Sequence, residues 1–305
     1  MIDVIIPCYN AHKTLERTLC SVAAQTIKEM VNVYIIDDCS EKNYNEICDK
    51  FSKLLHIKEL RLDKNQGPGG AREYGTINSN GKYIMYLDSD DFLYDCYVLW
   101  DLYKKIEKEK LDIVTSNIYD SKLNVDVGVT EHDLHGKLFR RSLIDKYNIH
   151  FMNTLCNDDT IFFYMCYLCT NKIDNLNILT YVYQINDKSI TLRKNYWVKN
   201  LEMFADNGCI LIDFINKNKI NKNKSSNLIT NMFMIMYHEY NCYNNDKNRK
   251  KLINKIKFFY KKATPLLKSF KSSSWNNIYS SFVFKKIPTI TFNEFINLLE
   301  TQKKS

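Results

Sequence analysis

Glycine and proline are scarce in this chain, since its 305 residues include only 8 Gly and 4 Pro. So few of them argue against a Gly/Pro-rich low-complexity chain. Three of the glycines fall within residues 67–70, which marks that loop as unusual. Long apolar runs are also missing, because no stretch approaches the roughly 18 residues that a bilayer-spanning helix needs. With 45% hydrophobic and 26% charged residues, the composition is that of a globular protein with a sizeable core, in one large domain or two.

A leader pattern is not evident at the start, where Met1–Val4 runs straight into an apolar strand. The ten cysteines are scattered through apparent strands and helices, unlike a small disulfide framework. Cys166 and Cys169 are formally a C-x-x-C pair, but no second pair lies at zinc spacing, so ordinary packing explains them. We therefore expect a reducing, cytoplasmic protein, with attachment at the inner face of the membrane as an alternative.

Acidic residues are outnumbered, since 43 Lys and Arg face 35 Asp and Glu for a net charge of +8. The excess is greatest in the C-terminal third, in runs such as residues 217–224 and 247–251. Solvated helix faces or loops are the simplest explanation of these runs. The alternative is attraction to phosphates of an anionic membrane, to an acidic glycan or to a nucleic acid.

Short apolar strands alternate with amphipathic helices through the first 116 residues. Pro7 ends the first strand, Asp38 follows the second, and Asp88 follows the strand at Tyr83–Leu87. This alternation predicts an α/β fold with a mainly parallel sheet. Because ligands bind beyond the carboxyl ends of the strands in such sheets, three polar loops at one edge indicate a site.

The central stretch of the chain is Tyr83–Leu93, which reads YIMYLDSDDFL. Its first five residues indicate a strand buried on both faces, and three carboxylates follow at Asp88, Asp90 and Asp91. Clustered like charges are unfavourable there unless a positive group is close. Carboxylates at i and i+2 can converge on one hard cation, typically Mg²⁺ or Mn²⁺, that keeps positions open for substrate phosphates. The alternative is an acidic turn that caps the next helix.

Three other polar segments carry candidate chemistry. One carboxylate of Asp37–Asp38 can accept a hydrogen bond from a base or a ribose hydroxyl, or it can cap a helix. Asn65–Arg72 (NQGPGGAR) places glycines before a helix predicted over about 71–78, whose first N–H groups can bind an anion, and Arg72 adds a positive charge. It matches neither of the usual nucleotide-binding loops. Asp158–Asp159 precede an apolar helical run and are either a helix cap or a general base.

Taken in order, these segments resemble glycosyltransferase family 2, and the resemblance covers roughly residues 1–190. Order and spacing together make it specific. The implied fold is GT-A, a Rossmann-like, mainly parallel mixed sheet flanked by helices. The segments that carry the resemblance are Val4–Asn10 (VIIPCYN), Ser21–Thr26 (SVAAQT), Ile35–Ser40 (IIDDCS), Asn65–Gly67 with Ala71–Arg72, Gly81–Ile84 running into Asp88–Asp91 (DSDD), Gly136–Arg141 (GKLFRR) and Asp158–Asp159.

The resemblance implies a binding site for a nucleotide-diphosphate sugar, with a UDP-sugar as the expected donor. The loop with Pro7, Tyr9 and Asn10 would hold the nucleoside base together with Asp38, and Tyr9 would pack against the base. Arg72 would lie near the base or the diphosphate.

The resemblance also implies the catalytic groups. Asp88 would contact the ribose or the metal, and Asp90 would bind Mn²⁺ or Mg²⁺ to the donor diphosphate. Asp159 would be the catalytic base, because it matches the second acid of the family's Glu-Asp pair; Asp158 departs from the Glu of that pair. His135 replaces an aromatic residue that many members have before Gly-Lys-Leu, so we expect His135 and Asp158 at the acceptor side.

These residue types suit sugar transfer with inversion, which is typical of the family. Charge builds on the leaving diphosphate, where a divalent cation stabilises it. A carboxylate base raises the reactivity of an acceptor hydroxyl by roughly 10²–10⁴-fold. The expected acceptor is a glycan or a lipid-linked molecule, as in surface polysaccharide synthesis, and no nucleic-acid partner is expected.

Beyond about Lys194 the strand patterns fade and helical periodicity takes over. The stretch Asn231–Tyr237 is too apolar for an exposed helix, so it must pack on the catalytic domain, form a homodimer or meet an anionic membrane or an acidic acceptor. Arg193 lies at the junction, where a basic loop could close over the diphosphate. The expected domains are a GT-A domain over 1–193, with a donor half over about 1–116 and an acceptor half over 117–193, and a helical region over 194–305.

Two other functions remain as alternatives. A GT-A-like nucleotidyltransferase would have a Gly-rich turn after the first strand, where this chain has Pro7–Asn10. A non-catalytic sugar-nucleotide-binding or scaffold protein would not need the full set of Asp38, Asp88, Asp90 and Asp159. Pyrophosphate release, nucleoside diphosphate release or no release would separate the three.

Overall fold

The computed structural model describes residues 1–130, 132–152, 157–184, 196–242, 246–267 and 292–300. The chain divides into two compact units, Met1–Ser189 and Ile190–Ser305. The first unit carries the described strands, and the described part of the second is helical. The domain limit expected at residue 193 falls outside the described ranges and stays a prediction.

The first unit is an α/β sandwich built on one sheet. Its strands are β1 (Ile2–Cys8), β2 (Val31–Asp37), β3 (His56–Arg61), β4 (Tyr83–Tyr86), β5 (Phe92–Leu93), β6 (Ile113–Asp120), β7 (Val125–Gly128), β8 (Leu138–Arg140) and β9 (Ile173–Tyr183). Its helices are α1 (Leu15–Ala23), α2 (Asn45–Phe51), α3 (Gly67–Ile77), α4 (Val98–Lys108), α5 (Arg141–Tyr147) and α6 (Asp158–Cys169), with a short 3₁₀ turn at Lys28–Met30.

The strand order is β3-β2-β1-β4-β8-β6-β9-β5, with β7 paired to β6. β3, β2, β1 and β4 run parallel, which agrees with the expectation of parallel strands in the donor half. β8 is antiparallel to both β4 and β6, whereas β9 is parallel to β6, so the other half of the sheet is mixed. The residues of β1 and β4 are buried throughout, as their apolar sequences predict for strands covered on both faces.

α3 lies close against the parallel strands because of one glycine. A side chain at Gly75 would place its Cβ 2.6 Å from Cγ2 of Ile5 and 3.0 Å from Cγ1 of Ile36. Gly75 therefore lets the helix approach β1 and β2 without a gap or a clash. The carboxyl ends of those strands consequently meet the first turn of α3.

Three element limits differ from the sequence-based expectations. α3 begins at Gly67 and not near residue 71, because Pro68 suits the first helical turn and has no N–H to satisfy there. The sequence pattern of residues 178–185 predicts a strand there, but β9 runs over Ile173–Tyr183 and is longer and earlier. The sequence pattern of residues 135–139 predicts another strand, but His135 lies in a loop because β8 begins only at Leu138.

The second unit contains α7 (Tyr196–Lys217), α8 (Lys222–Cys242), α9 (Asp246–Leu267) and α10 (Phe292–Glu300). Met232, Phe233 and Met236, in the apolar stretch of α8, are fully buried. Phe233 packs on Phe295 of α10 at a ring distance of 5.8 Å and on Tyr260 of α9 at 5.3 Å. The apolar stretch is therefore buried at least in part by helices of its own unit.

Across the described helices, we find none with the length and apolarity required to cross a membrane.

Candidate active site

The loops after β1 and β2 are joined at the carboxyl edge of the sheet. The backbone N–H of Asn10 donates to Ser40 Oγ at 2.9 Å, and Asn10 Oδ1 accepts from the N–H of Glu41 at 3.0 Å. Asn10 and Cys39 both have positive φ, of 53° and 62°. This conformation costs L residues roughly 1–2 kcal/mol, and such strain is common beside ligands. The Tyr9 ring between these loops is 55% exposed and is accessible to a ligand.

The two carboxylates that end β2 have different surroundings. Asp37 is fully buried, accepts from the N–H of Ser40 at 2.8 Å and pairs with Arg61, so it stabilises the turn. Asp38 Oδ1 accepts from the N–H of Gln66 at 2.6 Å, at the start of α3. Burial raises the pKa of Asp38 above its usual value. α2 begins only at Asn45, so the alternative of a helix cap at this position is wrong.

Arg72 is buried, with 5% exposure, and bridges two carboxylates. Its Nη2 donates to Asp88 Oδ1 at 2.6 Å, and its Nη1 donates to Asp158 Oδ2 at 2.7 Å. Within the described part of the chain, its buried Nε has no hydrogen-bond partner. Arg72 therefore ties the strand-end carboxylates of the donor half to the start of α6 in the acceptor half.

Gly69 makes this approach of α6 to α3 sterically possible. A Cβ at Gly69 would lie 2.7 Å from Cβ of Asp158 and would also clash with the carbonyl oxygen of Met152. The carbonyl oxygen of Met152 belongs to the backbone, so a change of side-chain rotamer alone could not make room for a larger residue at position 69. The Gly-rich segment thus serves to bring two carboxylate-bearing segments together.

Asp88–Asp91 form a tight turn held by α1. The N–H of Asp91 donates to the Asp88 carbonyl at 3.1 Å. Thr18 Oγ1 donates to the Asp91 carbonyl at 2.7 Å, and Arg17 Nη2 donates to the Asp90 carbonyl at 2.6 Å. The turn leads into β5, and α4 begins only at Val98, so the alternative of an acidic helix cap is wrong here as well.

A divalent cation has a fitting donor set beside this turn. Ligand atoms of Asp88, Asp91 and His135 all lie within 4.8 Å of one another. Asp91 also accepts from the Tyr181 hydroxyl and from the N–H of Gln184, each at 2.7 Å. Burial and the negative charge of Asp88 raise the pKa of Asp91 to about 7. Asp90 belongs to the same turn, and its role as a metal ligand stays a prediction.

His135 is surrounded by charged groups. Its Nε2 is 3.4 Å from Asp88 Oδ2, and its Nδ1 is 3.5 Å from Asp133 Oδ2. The buried Lys137 pairs with Asp133 Oδ1 at 3.1 Å. Burial opposes ionisation of Asp88, but the charges of Arg72 and His135 outweigh it and hold the pKa of Asp88 well below its usual value. Burial also disfavours the charged imidazole, but Asp133 and Asp88 raise the pKa of His135 well above its usual value.

Asp158 and Asp159 form the first turn of α6, after Asn157 with a left-handed φ of 60°. Asp159 Oδ1 accepts from the N–H of Thr160 at 2.7 Å. Burial raises the pKa of Asp158 to about 7 although Arg72 opposes the shift. Burial likewise raises the pKa of Asp159. A carboxylate with a raised pKa is suited to accept a proton.

The structure brings most of the predicted site residues to one edge of the sheet. Arg72, Asp88, Asp158 and His135 form one ion-pair network, and Asp38 joins it through the start of α3. Their individual roles stay predictions, and Arg193 lies outside the described residues. Sequence reasoning missed the site contacts of Gly69, Asp91, Asp133 and Tyr181. For Asp133, the one sequence signal was its position two residues before His135.

Comparison with known proteins identifies the family of the chain. Residues 3–165, just over half of the chain, match the family model described as Glycosyl transferase family 2. The chain belongs to this family. Among the relatives of this glycosyltransferase are two from Streptococcus pneumoniae serotype 4. GlyA is 32% identical over 148 residues, covering 48% of this chain and 21% of GlyA, so the chain spans about a fifth of GlyA's length. GlyG is 26% identical over 251 residues, covering 69% of this chain and 81% of GlyG.

Solved structures show the same fold. The chain superposes on residues 1–349 of S. aureus TarS in complex with UDP-GlcNAc with a TM-score of 0.72 and 19% identity, covering 86% of this chain and 81% of that one. The mannosyltransferase PcManGT from Pyrobaculum calidifontis, in complex with GDP-Man and Mn²⁺, gives a TM-score of 0.55 and 12% identity, with 92% and 78% covered. Together they show that the sheet and its flanking helices have the GT-A fold, and the chain also has a helical C-terminal region.

Proposed function

We propose that this family 2 glycosyltransferase transfers a sugar from a nucleotide-diphosphate sugar to a hydroxyl group, in a cation-dependent reaction with inversion. The observation that carries the proposal is the buried Arg72 bridge between Asp88 and Asp158. Through Arg72, the carboxylates that follow β4, which suit a cation, lie close to the carboxylate pair at the start of α6, which suits a base. Those are the two groups that displacement of a diphosphate by a hydroxyl requires.

The donor nucleotide is proposed to bind across the loops after β1 and β2. The exposed Tyr9 ring offers a stacking surface, and Asp38 is a buried acceptor at the start of α3. Uridine is our proposed base, supported by the UDP-GlcNAc bound in TarS.

Leaving-group stabilisation is assigned to the acidic turn. Asp88 and Asp90 would hold Mn²⁺ or Mg²⁺, and the bound cation would neutralise charge on the departing diphosphate. Asp88 is held ionised by Arg72, as a metal ligand must be. Arg72 cannot itself lose its charge, so it keeps this carboxylate cluster folded in the absence of a ligand.

Asp159 is our proposed base. It would take the proton from the acceptor hydroxyl as the bond between the anomeric carbon and the diphosphate oxygen breaks. The new bond forms on the opposite face of the sugar, so the configuration inverts. Asp158, paired to Arg72, is proposed to position α6 and contact the acceptor.

The acceptor is proposed to be a glycan or a lipid-linked molecule at the inner face of a membrane. The excess of basic residues, with a net charge of +8, favours a partner that carries phosphate or carboxylate groups.

Donor hydrolysis across a panel of nucleotide sugars, with and without Mn²⁺, tests the function. We expect release of nucleoside diphosphate that depends on the cation and is abolished by Asp90→Ala with the fold retained. Calorimetry with UDP should show tight binding only with Mn²⁺. Pyrophosphate release, or equal UDP affinity with and without the cation, would contradict the proposal.

A further inference from the structure

His135 has the surroundings of a metal-binding histidine. In such residues one ring nitrogen binds the metal and the other donates to a carboxylate, which fixes the tautomer and the ring orientation. Here Nε2 lies 3.4 Å from Asp88 Oδ2, on the side of the acidic turn, and Nδ1 lies 3.5 Å from Asp133 Oδ2 on the opposite side. The sequence led us to expect His135 at the acceptor side, whereas the structure places it against Asp88.

The ring is also fixed in its plane. It stacks on Tyr181 with ring centroids 4.7 Å apart and an angle of 26°. The hydroxyl of Tyr181 donates to Asp91, and the N–H of Asp88 donates to that hydroxyl at 3.3 Å. One aromatic side chain thus contacts the imidazole, the Asp91 carboxylate and the backbone of Asp88. A side chain held on its face and at both ring nitrogens loses little entropy on binding a ligand.

Asp133 is held in place by contacts on its other oxygen. Its Oδ1 accepts from Lys137 Nζ at 3.1 Å, from Thr130 Oγ1 at 2.5 Å and from the N–H of His135 at 3.0 Å. Lys137 is fully buried, so its pairing with Asp133 cannot be exchanged for water without a large cost. The Oδ2 atom of Asp133 is therefore kept facing the imidazole.

The distances fit two ligands of one ion. Two cis ligands of an octahedral ion, each about 2.1 Å from it, are about 3 Å apart. The observed 3.4 Å between His135 Nε2 and Asp88 Oδ2 is close to that value, and Asp91 completes a set within 4.8 Å. Asp91 is engaged with Tyr181 and Gln184, so Asp88 and His135 are the pair of this cluster best placed to bind.

We propose that His135 is a nitrogen ligand of the divalent cation and that Asp133 is its positioning residue, a step that rests on the cation-dependent function proposed above. An imidazole ligand favours Mn²⁺ or Co²⁺ over Mg²⁺, which prefers an all-oxygen set. The chain should accordingly bind Mn²⁺ more tightly than Mg²⁺. The ratio of the two affinities should be larger than at a site with oxygen ligands only.

The decisive experiment is electron spin-echo spectroscopy of Mn²⁺ bound to the full chain with UDP. We expect modulation from one ¹⁴N nucleus coordinated to Mn²⁺. His135→Gln should abolish the modulation and weaken Mn²⁺ binding, titrated by the free-ion signal, by at least about 10-fold. Asp133→Asn should keep the modulation and weaken binding by about 10–100-fold. His132→Gln, an exposed histidine three residues away, is the matched control and should change neither.

The wild-type spectrum decides the matter even if a variant fails to fold. Bound Mn²⁺ without nitrogen modulation would overturn the role of His135 while leaving the transferase function standing, because release of nucleoside diphosphate is measured separately. Absence of any Mn²⁺ binding with UDP present would overturn both. Nitrogen modulation that persists in a folded His135→Gln protein would assign the ligand to another residue and refute the proposal.

Discussion

Asp158 and Asp159 are neighbours in sequence but differ in their contacts. Asp158 pairs with the buried Arg72, whereas Asp159 accepts from the N–H of Thr160 at the start of the same helix. A carboxylate in a buried ion pair is poorly available to take a proton from a substrate. The contacts therefore favour Asp159 over Asp158 as the candidate base.

Asp159→Asn should lower k_cat by at least about 10²-fold, because an amide cannot accept the proton of the acceptor hydroxyl. Donor affinity should be unchanged, since Asn has nearly the same shape. Asp158→Asn should have a milder effect on transfer but should lower the melting temperature, because Arg72 loses half of its pairing. Steady-state kinetics and calorimetry with UDP measure these effects, and the reverse ranking of the two variants would move the base to Asp158.

The pH profile should carry the signature of the same base. Burial raises the pKa of Asp159 above its usual value. The base works only when ionised, so the transfer rate should fall as the pH decreases through this raised pKa. The acid limb of k_cat should thus lie above about pH 4, where an exposed Asp titrates. A rate that is flat down to pH 4, or an identical limb in Asp159→Asn, would exclude this assignment.

At the scale of elements, α3 connects the two halves of the cleft. Its first residues bind Asp38, its middle carries Arg72, and Gly69 receives the start of α6. The glycines of this helix are weak helix formers, which costs roughly 1 kcal/mol each relative to Ala. That cost is offset by the close contact between segments that only a residue without Cβ allows.

Gly69→Ala should displace Asp158 and Met152, and we expect donor affinity and k_cat to fall by at least about 10-fold. Gly70→Ala gives the comparison in the same turn: its added Cβ would also be crowded, 2.5 Å from Gln66 Cβ, but its three nearest atoms all belong to Gln66 and none to Met152 or Asp158. Melting temperatures and UDP titrations of both variants give the comparison. Equal behaviour of the two variants would show that Gly69 does not set the approach of α6.

In the helical unit, three ion pairs join α7 to α9. Glu202 pairs with Lys251, Asp206 with Lys255 and Asp213 with Lys262. The two residues of each pair are separated by the same number of positions in the sequence. α7 and α9 therefore run parallel.

The Asp206–Lys255 pair should contribute little, because its side chains are 46% and 39% exposed. A double-mutant cycle with Asp206→Asn and Lys255→Gln, measured by urea denaturation, should give a coupling free energy of less than about 1 kcal/mol. The mismatched cycle of Asp206→Asn with Lys262→Gln should give no coupling. Coupling in the mismatched cycle would contradict this register of the helices.

At the scale of the whole molecule, much of the basic excess lies in the helical unit. α9 carries eight Lys and Arg against one Asp, and Phe258 on this helix is 62% exposed. An exposed aromatic ring among lysines is typical of a surface that meets an anionic interface. Homodimer formation and simple packing within the chain remain the other outcomes.

The full chain should float with anionic phosphatidylglycerol liposomes at low salt and be released at high salt. Replacing Lys261 with Gln should weaken binding about fivefold, since each basic residue at such a surface is worth roughly 1 kcal/mol. Phe258→Ala should weaken it further, whereas Leu54→Ala, another exposed apolar residue, should not. A monomer by light scattering that ignores anionic liposomes would leave packing within the chain as the role of this helix.

The sequence by itself determined the fold class and the edge of the sheet where the site lies. Strand and helix periodicity depend on near neighbours, so β1, β2, β4 and the loops after them could be predicted, and the motif order indicated the family. What each acid does was decided only by tertiary structure. The contact between Arg72 and Asp158 joins residues 86 positions apart, and that between His135 and Asp88 spans 47.

The same physical reason explains the errors. The alternative of a helix cap at Asp37–Asp38 rested on the preference for Asp at helix starts, yet Asp37 pairs with Arg61 of the neighbouring strand and Asp38 accepts from the N–H of Gln66. α3 starts at Gly67 although glycines disfavour a helix locally, because Pro68 suits its first turn, and Gly69 there allows the approach of α6. Local propensity is worth about 1 kcal/mol per residue, and packing of distant segments and buried charge pairs exceeds it. Positions where long-range contacts override local preference are the ones that sequence alone could not assign.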